Sequence, residues 1–180
     1  MTFIRGKLAE LRILEESDDE ARRWTEHVMA GLDHLRHLFT GSLPARWIDV
    51  KAKWRKERES GDVLFGIWAN DEFIGTCGLH SHRELYRSWE ARWLIFDPDC
   101  IGKGIGTEAV KMLTHYAFDR LNAHRVWLGV SAENVGAVRC YEKAGYNREG
   151  ELRDEIFVHG RYVNAIRMSV LEQEWTRTRQ

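Results

Sequence analysis

Three glycines alternate along Gly102-Lys103-Gly104-Ile105-Gly106-Thr107, between a strand-like segment and a segment with helical spacing. Glycine lets the backbone turn sharply and turn its N–H groups outward. The helix that follows presents further free N–H groups and the positive end of its dipole. Together they make an anion site, and phosphate is the expected anion. A glycine-rich tight loop with no ligand is the plainer reading, but three alternating glycines at the start of a helix favour a ligand. The mononucleotide loop GxxxxGK followed by Ser or Thr is absent. A dinucleotide GxGxxG starting at Gly102 would end on Thr107, and one starting at Gly104 would end on Ala109. Neither register is followed by the acidic residue that a ribose needs on a second strand.

A second constellation follows. Asn134 stands just after an apolar strand-like run and just before a helix. It can cap that helix, and an amide carrying both donors and acceptors can also hold a peptide-like group of a ligand. Tyr141 lies within the helix among Val135, Val138, Cys140 and Ala144, where a buried aromatic is the plain expectation. Its pairing with the glycine loop is what gives it a functional reading.

The elements that must position these residues are legible from periodicity. Residues 7–14 read as a strand with Leu8, Leu11 and Ile13 as core candidates. Ser17 and Glu20 form a capping box that starts a helix over 18–30. A second helix covers 45–60 and ends at Gly61. Strands over 63–69 and 73–79 flank a turn at Asn70-Asp71-Glu72. Another strand, 89–96, stops at Asp97-Pro98. Helix 105–121, strand 125–131 and helix 135–144 follow, the last ending at Gly145. Strands over 151–158 and 161–171 close the chain about His159-Gly160. Helices interleaved in this way predict an α/β fold with a sheet of mixed strand directions.

Composition narrows the function classes. The 180 residues are 43% hydrophobic with only two prolines, enough for a core in a single domain over 1–180. Lys plus Arg is 27 and Asp plus Glu is 28, a net charge of −1. Such a chain has no overall attraction for nucleic acid or an anionic membrane. No segment has the ~20 consecutive apolar residues of a membrane span, and the charged N-terminus lacks the apolar core of a signal peptide. Cys77, Cys100 and Cys140 are too few and too scattered for a disulfide framework or a zinc site. A cytoplasmic protein without metal is the expectation.

The two constellations and their spacing resemble the GNAT superfamily of acyl-CoA-dependent N-acetyltransferases. The loop of that family, Gln or Arg-x-x-Gly-x-Gly/Ala opening a helix, reads here Ile101-Gly102-Lys103-Gly104-Ile105-Gly106. Its second motif reads Asn134, then Tyr141-Glu142-Lys143-Ala144-Gly145-Tyr146. The resemblance runs from about residue 63 to 175. It is strongest to the branch holding ribosomal-protein N-terminal acetyltransferases and spermidine N-acetyltransferases. Two departures stand out: Ile101 replaces the usual Gln or Arg, and Cys100 replaces a common aromatic.

The resemblance implies a mostly antiparallel central sheet with helices on both faces. It implies acetyl-CoA as cosubstrate, a primary amine as acceptor (a protein N-terminus, a polyamine or a small amine) and room for a homodimer. Pyrophosphate would lie on the N–H groups of residues 102–107, with a hydroxyl contact from Thr107. The pantetheine arm would pair with Leu94, Ile95 and Phe96 where a bulge splays this strand from the next, and Asn134 would hold it from the other side. A backbone N–H near Ile95 or Phe96 would stabilise the oxyanion. The resemblance puts Tyr141 where it can protonate the departing thiolate. Glu90 is the obvious carboxylate to take the amine's proton. The other reading for Glu90 is a solvent-facing carboxylate, since a one-residue slip in a strand reverses a side chain's face. A non-catalytic acyl-CoA sensor is the rival from another class.

Other features have plain readings beside functional ones. His80 and His82 share a strand face but lack a third metal ligand, and His34 and His37 have surface-helix spacing. Trp47 and Trp54, seven apart, are core or cleft lining. The run Lys51–Glu59 reads as a solvated helix face. Asp18, Asp19 and Glu20 are acids at a helix start, where a polyamine would also find negative charge.

Overall fold

The computed structural model describes residues 3–30, 46–158 and 160–177; the side chains of residues 3, 29–30, 82–84, 93–96 and 176–177 lie outside that description. Eight strands form one sheet: β1 (Phe3–Arg5), β2 (Glu10–Ile13), β3 (Val63–Ala69), β4 (Glu72–Arg83), β5 (Ser88–Phe96), β6 (Arg125–Ser131), β7 (Asn147–Val158) and β8 (Arg161–Leu171). Their order is β1-β2-β3-β4-β5-β6-β8-β7. Every neighbouring pair is antiparallel except β5 and β6. The described helices are α1 (Asp18–Ala30), α2 (Trp47–Glu59), α3 (Ile105–Arg120), α4 (Val135–Lys143) and the short α5 (Glu172–Arg177).

Local chemistry explains the boundaries. Ser17 and Glu20 make the reciprocal capping box: the Glu20 N–H donates to Ser17 Oγ at 3.1 Å, and the Ser17 N–H donates to the Glu20 carboxylate at 3.0 Å. Asn70 and Asp71 both adopt positive φ, 50° and 62°, between paired Ala69 and Glu72. That is the two-residue turn whose twist suits a hairpin. Gly145, at φ 100°, ends α4, and the Tyr146 N–H returns to the Tyr141 carbonyl at 3.0 Å.

Helices cover both faces of the sheet. Adjacent residues of one strand face opposite ways, so β3 sends Phe65 and Ile67 into one core and Leu64 into another. The larger core lies under α3 and α4, with Leu11, Cys77, Leu79, Val110, Leu113, Leu128 and Met168 at its centre. The smaller lies under α1 and α2: Leu14, Ala21, Trp24, Val28, Val50, Trp54, Leu64 and Phe73. Trp54 meets Trp24 edge to face, with centroids 6.2 Å apart.

Several element boundaries differ from the sequence reading. The strand expected over 7–14 forms only over Glu10–Ile13, and Leu8 and Ile13 are exposed while Ala9, Leu11 and Leu14 are buried. The cause is long-range: the N–H groups of Lys7, Leu8 and Ala9 all donate to the Glu108 carboxylate of α3, at 2.7–2.9 Å, and so form a turn instead of a ladder. β4 runs on to Arg83 and β7 starts at Asn147, both longer than expected. The short β1 and α5 carry too few residues for periodicity to reveal.

Candidate functional site

β5 and β6 are parallel, so their carboxyl ends lie at the same edge of the sheet. Their ladder is short: Ser88, Trp89 and Glu90 pair with Arg125, Val126 and Trp127, and pairing stops there. Beyond it β5 stays with β4 and β6 stays with β8. On the β4 side, Gly78 pairs with Arg92 but Thr76 pairs with Ile95. Two residues of β4 thus face three steps of β5, a bulge at Trp93-Leu94. The bulge bends β5 where the parallel ladder has ended, and a crevice opens between the carboxyl halves of β5 and β6. The expected splay at Leu94, Ile95 and Phe96 is therefore present in the backbone. In open α/β sheets this is where ligands bind.

The loop at the mouth of the crevice joins β5 to α3. Asp97 starts it by accepting the Asp99 N–H at 3.0 Å. Gly102 and Gly104 take φ of 79° and 83°, the left-handed region that side chains resist. A β-carbon at Gly102 would meet nothing within 4 Å, and one at Gly104 only Leu8 Cδ1 at 3.5 Å. The glycines are thus demanded by backbone conformation and not by crowding within the protein. Gly104 is the N-cap of α3 and lends no side-chain cap. The Glu108 N–H is the first to find an intrahelical partner, the Gly104 carbonyl at 3.1 Å, which leaves the N–H groups of Ile105, Gly106 and Thr107 as the uncapped end of a 16-residue helix. An anion is the natural occupant. Ile101 and Lys103 flank this end, both exposed.

Thr107 Oγ1 is 3.4 Å from Cys140 Sγ, linking the first turn of α3 to α4. Asn134 does cap α4: its side-chain oxygen accepts the Ala137 N–H at 3.1 Å, and its amide N–H groups make no hydrogen bond among the described residues. Tyr141, 8% exposed, packs with Val138 and Tyr146, the two tyrosine rings 6.2 Å apart. Burial raises the pKa of both tyrosines, so both stay protonated well beyond neutrality. Tyr146 bonds Thr114 at 2.8 Å, whereas the Tyr141 hydroxyl bonds none of the described residues.

Glu90 lies on the opposite face of β5 from Ala91, which is buried in the α3 core. It therefore faces the side covered by α1 and α2. Its carboxylate accepts from Arg92 at 2.5 Å, and its side chain is 17% exposed. The solvent-facing alternative does not hold.

The plain readings of the remaining candidates are also decided. Asp18 pairs with Lys51, Asp19 with Arg23 and Glu20 with Ser17, so the acids at the start of α1 are engaged within the protein. Lys53, Arg55 and Arg58 of α2 face Glu57, Glu16 and Glu16 in turn. Trp54 is core, and the half-buried Trp47 already has the Arg22 guanidinium over its ring at 4.5 Å. His80 bonds Asp62, and the side chain of His82 lies outside the described residues. His34 and His37 lie outside the described residues.

Sequence reasoning missed two contributors. Glu108 holds the β1–β2 turn against the glycine loop, and a single acid in the first turn of a helix gives no sign of a partner 100 residues away. The second is the polar group under α2, comprising Lys53, Glu57, Asp62 and His80. Its members come from three separate segments with no motif among them.

Comparison with known proteins agrees with this geometry. Residues 8–147 match the acetyltransferase (GNAT) domain family. The spermidine N(1)-acetyltransferase of Escherichia coli (strain K12) is 40% identical over 166 residues, 92% of this chain and 87% of that protein. Its Vibrio cholerae counterpart is 29% identical over 171 residues, 95% of this chain and 91% of that one. A crystal structure of spermidine N-acetyltransferase from Vibrio cholerae in complex with CoA and spermine superposes with a TM-score of 0.82 at 25% identity, covering 95% of this chain and 99% of that one. No helix among the described residues is long and apolar enough to cross a membrane. With an opened parallel strand pair, the uncapped glycine-led end of α3 at its mouth and these relatives, the chain belongs to the GNAT acetyltransferase family and is an acetyl-CoA-dependent N-acetyltransferase.

Proposed function

We propose that this enzyme acetylates a linear polyamine of the spermidine type, with the crevice between β5 and β6 holding the pantetheine arm of acetyl-CoA. The observation that carries the reading is the parallel ladder that ends at Glu90 and Trp127 with the uncapped end of α3 at its mouth. The N–H groups around Gly102, Gly104 and Gly106 would take the pyrophosphate, with Ile101, Lys103, Ile105 and Thr107 completing the loop. Leu94, Ile95 and Phe96 would offer backbone groups to the amides of the arm, and Asn134 its unused amide donors. A backbone N–H at the bulge would receive the oxyanion as the amine attacks the thioester. Tyr141 would protonate the leaving thiolate. A thiol titrates near ~8.5 and a phenol near ~10 or above, so Tyr141 keeps its proton until the thiolate forms, and the transfer, uphill by these solution values, is drawn on by proton loss from the attacking nitrogen. Glu90 would draw the cationic amine to the α1/α2 side of the sheet.

The polyamine acceptor is supported by the 40% identical relative and by carboxylates held on that side, Glu57, Asp62 and Glu90, all with side chains at most 17% exposed. The same reading takes residues 1–180 as one catalytic domain, supported by a single continuous sheet. It also takes the cytoplasm as the working compartment, where the free Cys77, Cys100 and Cys140 stay reduced. A homodimer belongs to the reading too, and sedimentation at assay concentration measures it.

The test is thiol release from acetyl-CoA with spermidine, spermine, peptides with free N-termini and amino sugars. Spermidine and spermine are expected to give the highest kcat/KM. A preference for peptides would replace the acceptor, and tight acetyl-CoA binding without turnover on any amine would favour the sensor.

A further inference from the structure

An amine acceptor reaches the enzyme as an ammonium ion, because its pKa of about 10.4 lies far above neutrality. It must lose a proton before it can attack. Glu90 is a strand carboxylate on the α1/α2 side, but Arg92 already occupies it at 2.5 Å. The α1/α2 side holds a better one. Glu57, on the last turn of α2, has a side chain only 16% exposed, with Lys53 Nζ 4.0 Å away. It lines a small cavity of about 10 Å³ together with Lys53, Trp24 and Thr76. That volume is close to what one water centre occupies, and between the apolar walls of Leu14, Val50, Trp54 and Leu64 the polar partners for it are Glu57, Lys53 and Thr76. Thr76 accepts the Trp24 Nε1–H at 3.2 Å, and its strand partner is Ile95, the first paired residue beyond the bulge of β5. The cavity thus reaches from Glu57 toward the strand position where the thioester would lie.

The geometry points to Glu57 as the group that takes the acceptor's proton, through a water in the cavity it shares with Thr76. This rests on the acetyl-transfer reading of the crevice. One N–H bond of the ammonium breaks, its proton passes to the water, and a proton of that water passes to the Glu57 carboxylate. The freed lone pair forms the C–N bond as the C–S bond breaks. Tyr141 gives its hydroxyl proton to the sulfur and regains one from the second N–H of the attacking nitrogen. Glu57, partly open to solvent, then releases its proton to bulk water. Overall one proton appears for each acetyl group moved.

Burial, the largest influence, pushes the Glu57 pKa up to about 7; the Asp62 charge acts in the same direction, and Lys53 and Arg92 oppose it. A carboxyl in that range is a far better proton acceptor at neutral pH than an ordinary one. Other charged groups on this side are His80, bonded to Asp62, and Glu90, bonded to Arg92. Because the base form of Glu57 grows as pH rises through about 7, wild-type kcat with spermidine should rise across the same interval.

The experiment compares wild type, Glu57→Gln, Glu57→Asp and Glu90→Gln with spermidine and with an amine already neutral at pH 7, from pH 6 to 9. Glu57→Gln is expected to lower kcat for spermidine at pH 7 by about 100-fold, to lose the rise near pH 7, and to leave the KM for acetyl-CoA unchanged. Glu57→Asp recovers part of the rate, and the neutral amine is acetylated equally by wild type and Glu57→Gln. If Glu57→Gln keeps the wild-type profile, or if only Glu90→Gln removes the rise, the assignment to Glu57 is overturned while the acetyl-transfer reading stands. If wild type turns over no amine at all, both fall.

Discussion

On the proposed reading the two faces of the sheet serve one reaction, and they are built from different materials. Under α3 and α4 the site is made of main chain: positive φ at two glycines, an uncapped helix end and a strand pair that stops at Glu90. Most polar side chains there are tied to their own scaffold, as Glu108 is to three N–H groups and Thr107 to Cys140, with the Tyr141 hydroxyl and the Asn134 amide N–H groups as exceptions among the described residues. Under α1 and α2 the apolar cluster is small, and the polar groups beside it are titratable side chains carried on α2, β4 and β5. A cofactor that never varies can be held by backbone geometry. An acceptor that differs between relatives is better met by side chains, which substitution can change without disturbing the sheet.

The sharpest way to break this comparison uses two tyrosines that burial treats alike. Tyr141 and Tyr146 sit 6.2 Å apart and both are held protonated. Only Tyr146 spends its hydroxyl on the scaffold: Thr114 donates to the Val110 carbonyl at 2.7 Å and so accepts from Tyr146. Tyr141→Phe should lower kcat by roughly 100-fold or more while leaving the acetyl-CoA Kd unchanged. Tyr146→Phe should leave kcat intact and cost about 1 kcal/mol in denaturant unfolding. Equal kcat in Tyr141→Phe across the pH range would remove it as the acid.

Next in size is the cradle. Gly104→Val places a branched side chain at φ 83°, beside a β-carbon position whose nearest protein neighbour is Leu8 at 3.5 Å. The added bulk meets little of the protein, but the strained backbone displaces the N–H groups that would hold the phosphates. Acetyl-CoA Kd is expected to rise at least about tenfold, or ~1.4 kcal/mol, by calorimetric titration of the folded variant, with stability lowered by about 1–3 kcal/mol of backbone strain. An unchanged Kd would separate the glycine loop from the phosphates. Glu108→Ala leaves the N–H groups of Lys7, Leu8 and Ala9 without their acceptor and should cost about 2 kcal/mol of stability. Its kcat in saturating acetyl-CoA should fall less than in Tyr141→Phe.

Sequence legibility follows the same division. The glycine loop could be read because its φ angles admit few other residues, and α4 because Asn134 and Gly145 mark its ends by local rules. The register of β2 was lost for a reason no local rule contains: an acid on α3 captures the turn before it, so Leu8 faces outward and Leu14 inward. The face of Glu90 could not be settled without the bulge at Trp93-Leu94, which depends on β4 pairing. The cluster around Glu57 was invisible because its charges come from α2, the loop before β3, β4 and β5, and each alone looks like ordinary helix or strand surface. Local chemistry thus revealed the glycine loop and α4, and only tertiary packing revealed the polar cluster under α2.

The smallest expected effect asks whether the two faces are energetically separate. Ser17→Ala removes the oxygen that accepts the Glu20 N–H and leaves the rest of α1 in place. Losing such a cap costs about 1 kcal/mol, which should appear as a lowered Tm. Glu20 would still accept the N–H of residue 17, so the helix start weakens without being lost. α1 contributes Trp24 to Thr76, and among the described residues it meets the start of the glycine loop in the long 3.8 Å contact of His27 Nε2 with the Asp97 carboxylate. The acetyl-CoA Kd should therefore stay at the wild-type value while the KM for spermidine rises slightly. A parallel change in acetyl-CoA affinity would mean that strain in α1 reaches the crevice through Thr76 and the bulge of β5. The faces would then be one cooperative unit, and the division between a backbone-built and a side-chain-built half would describe construction only, without energetic independence.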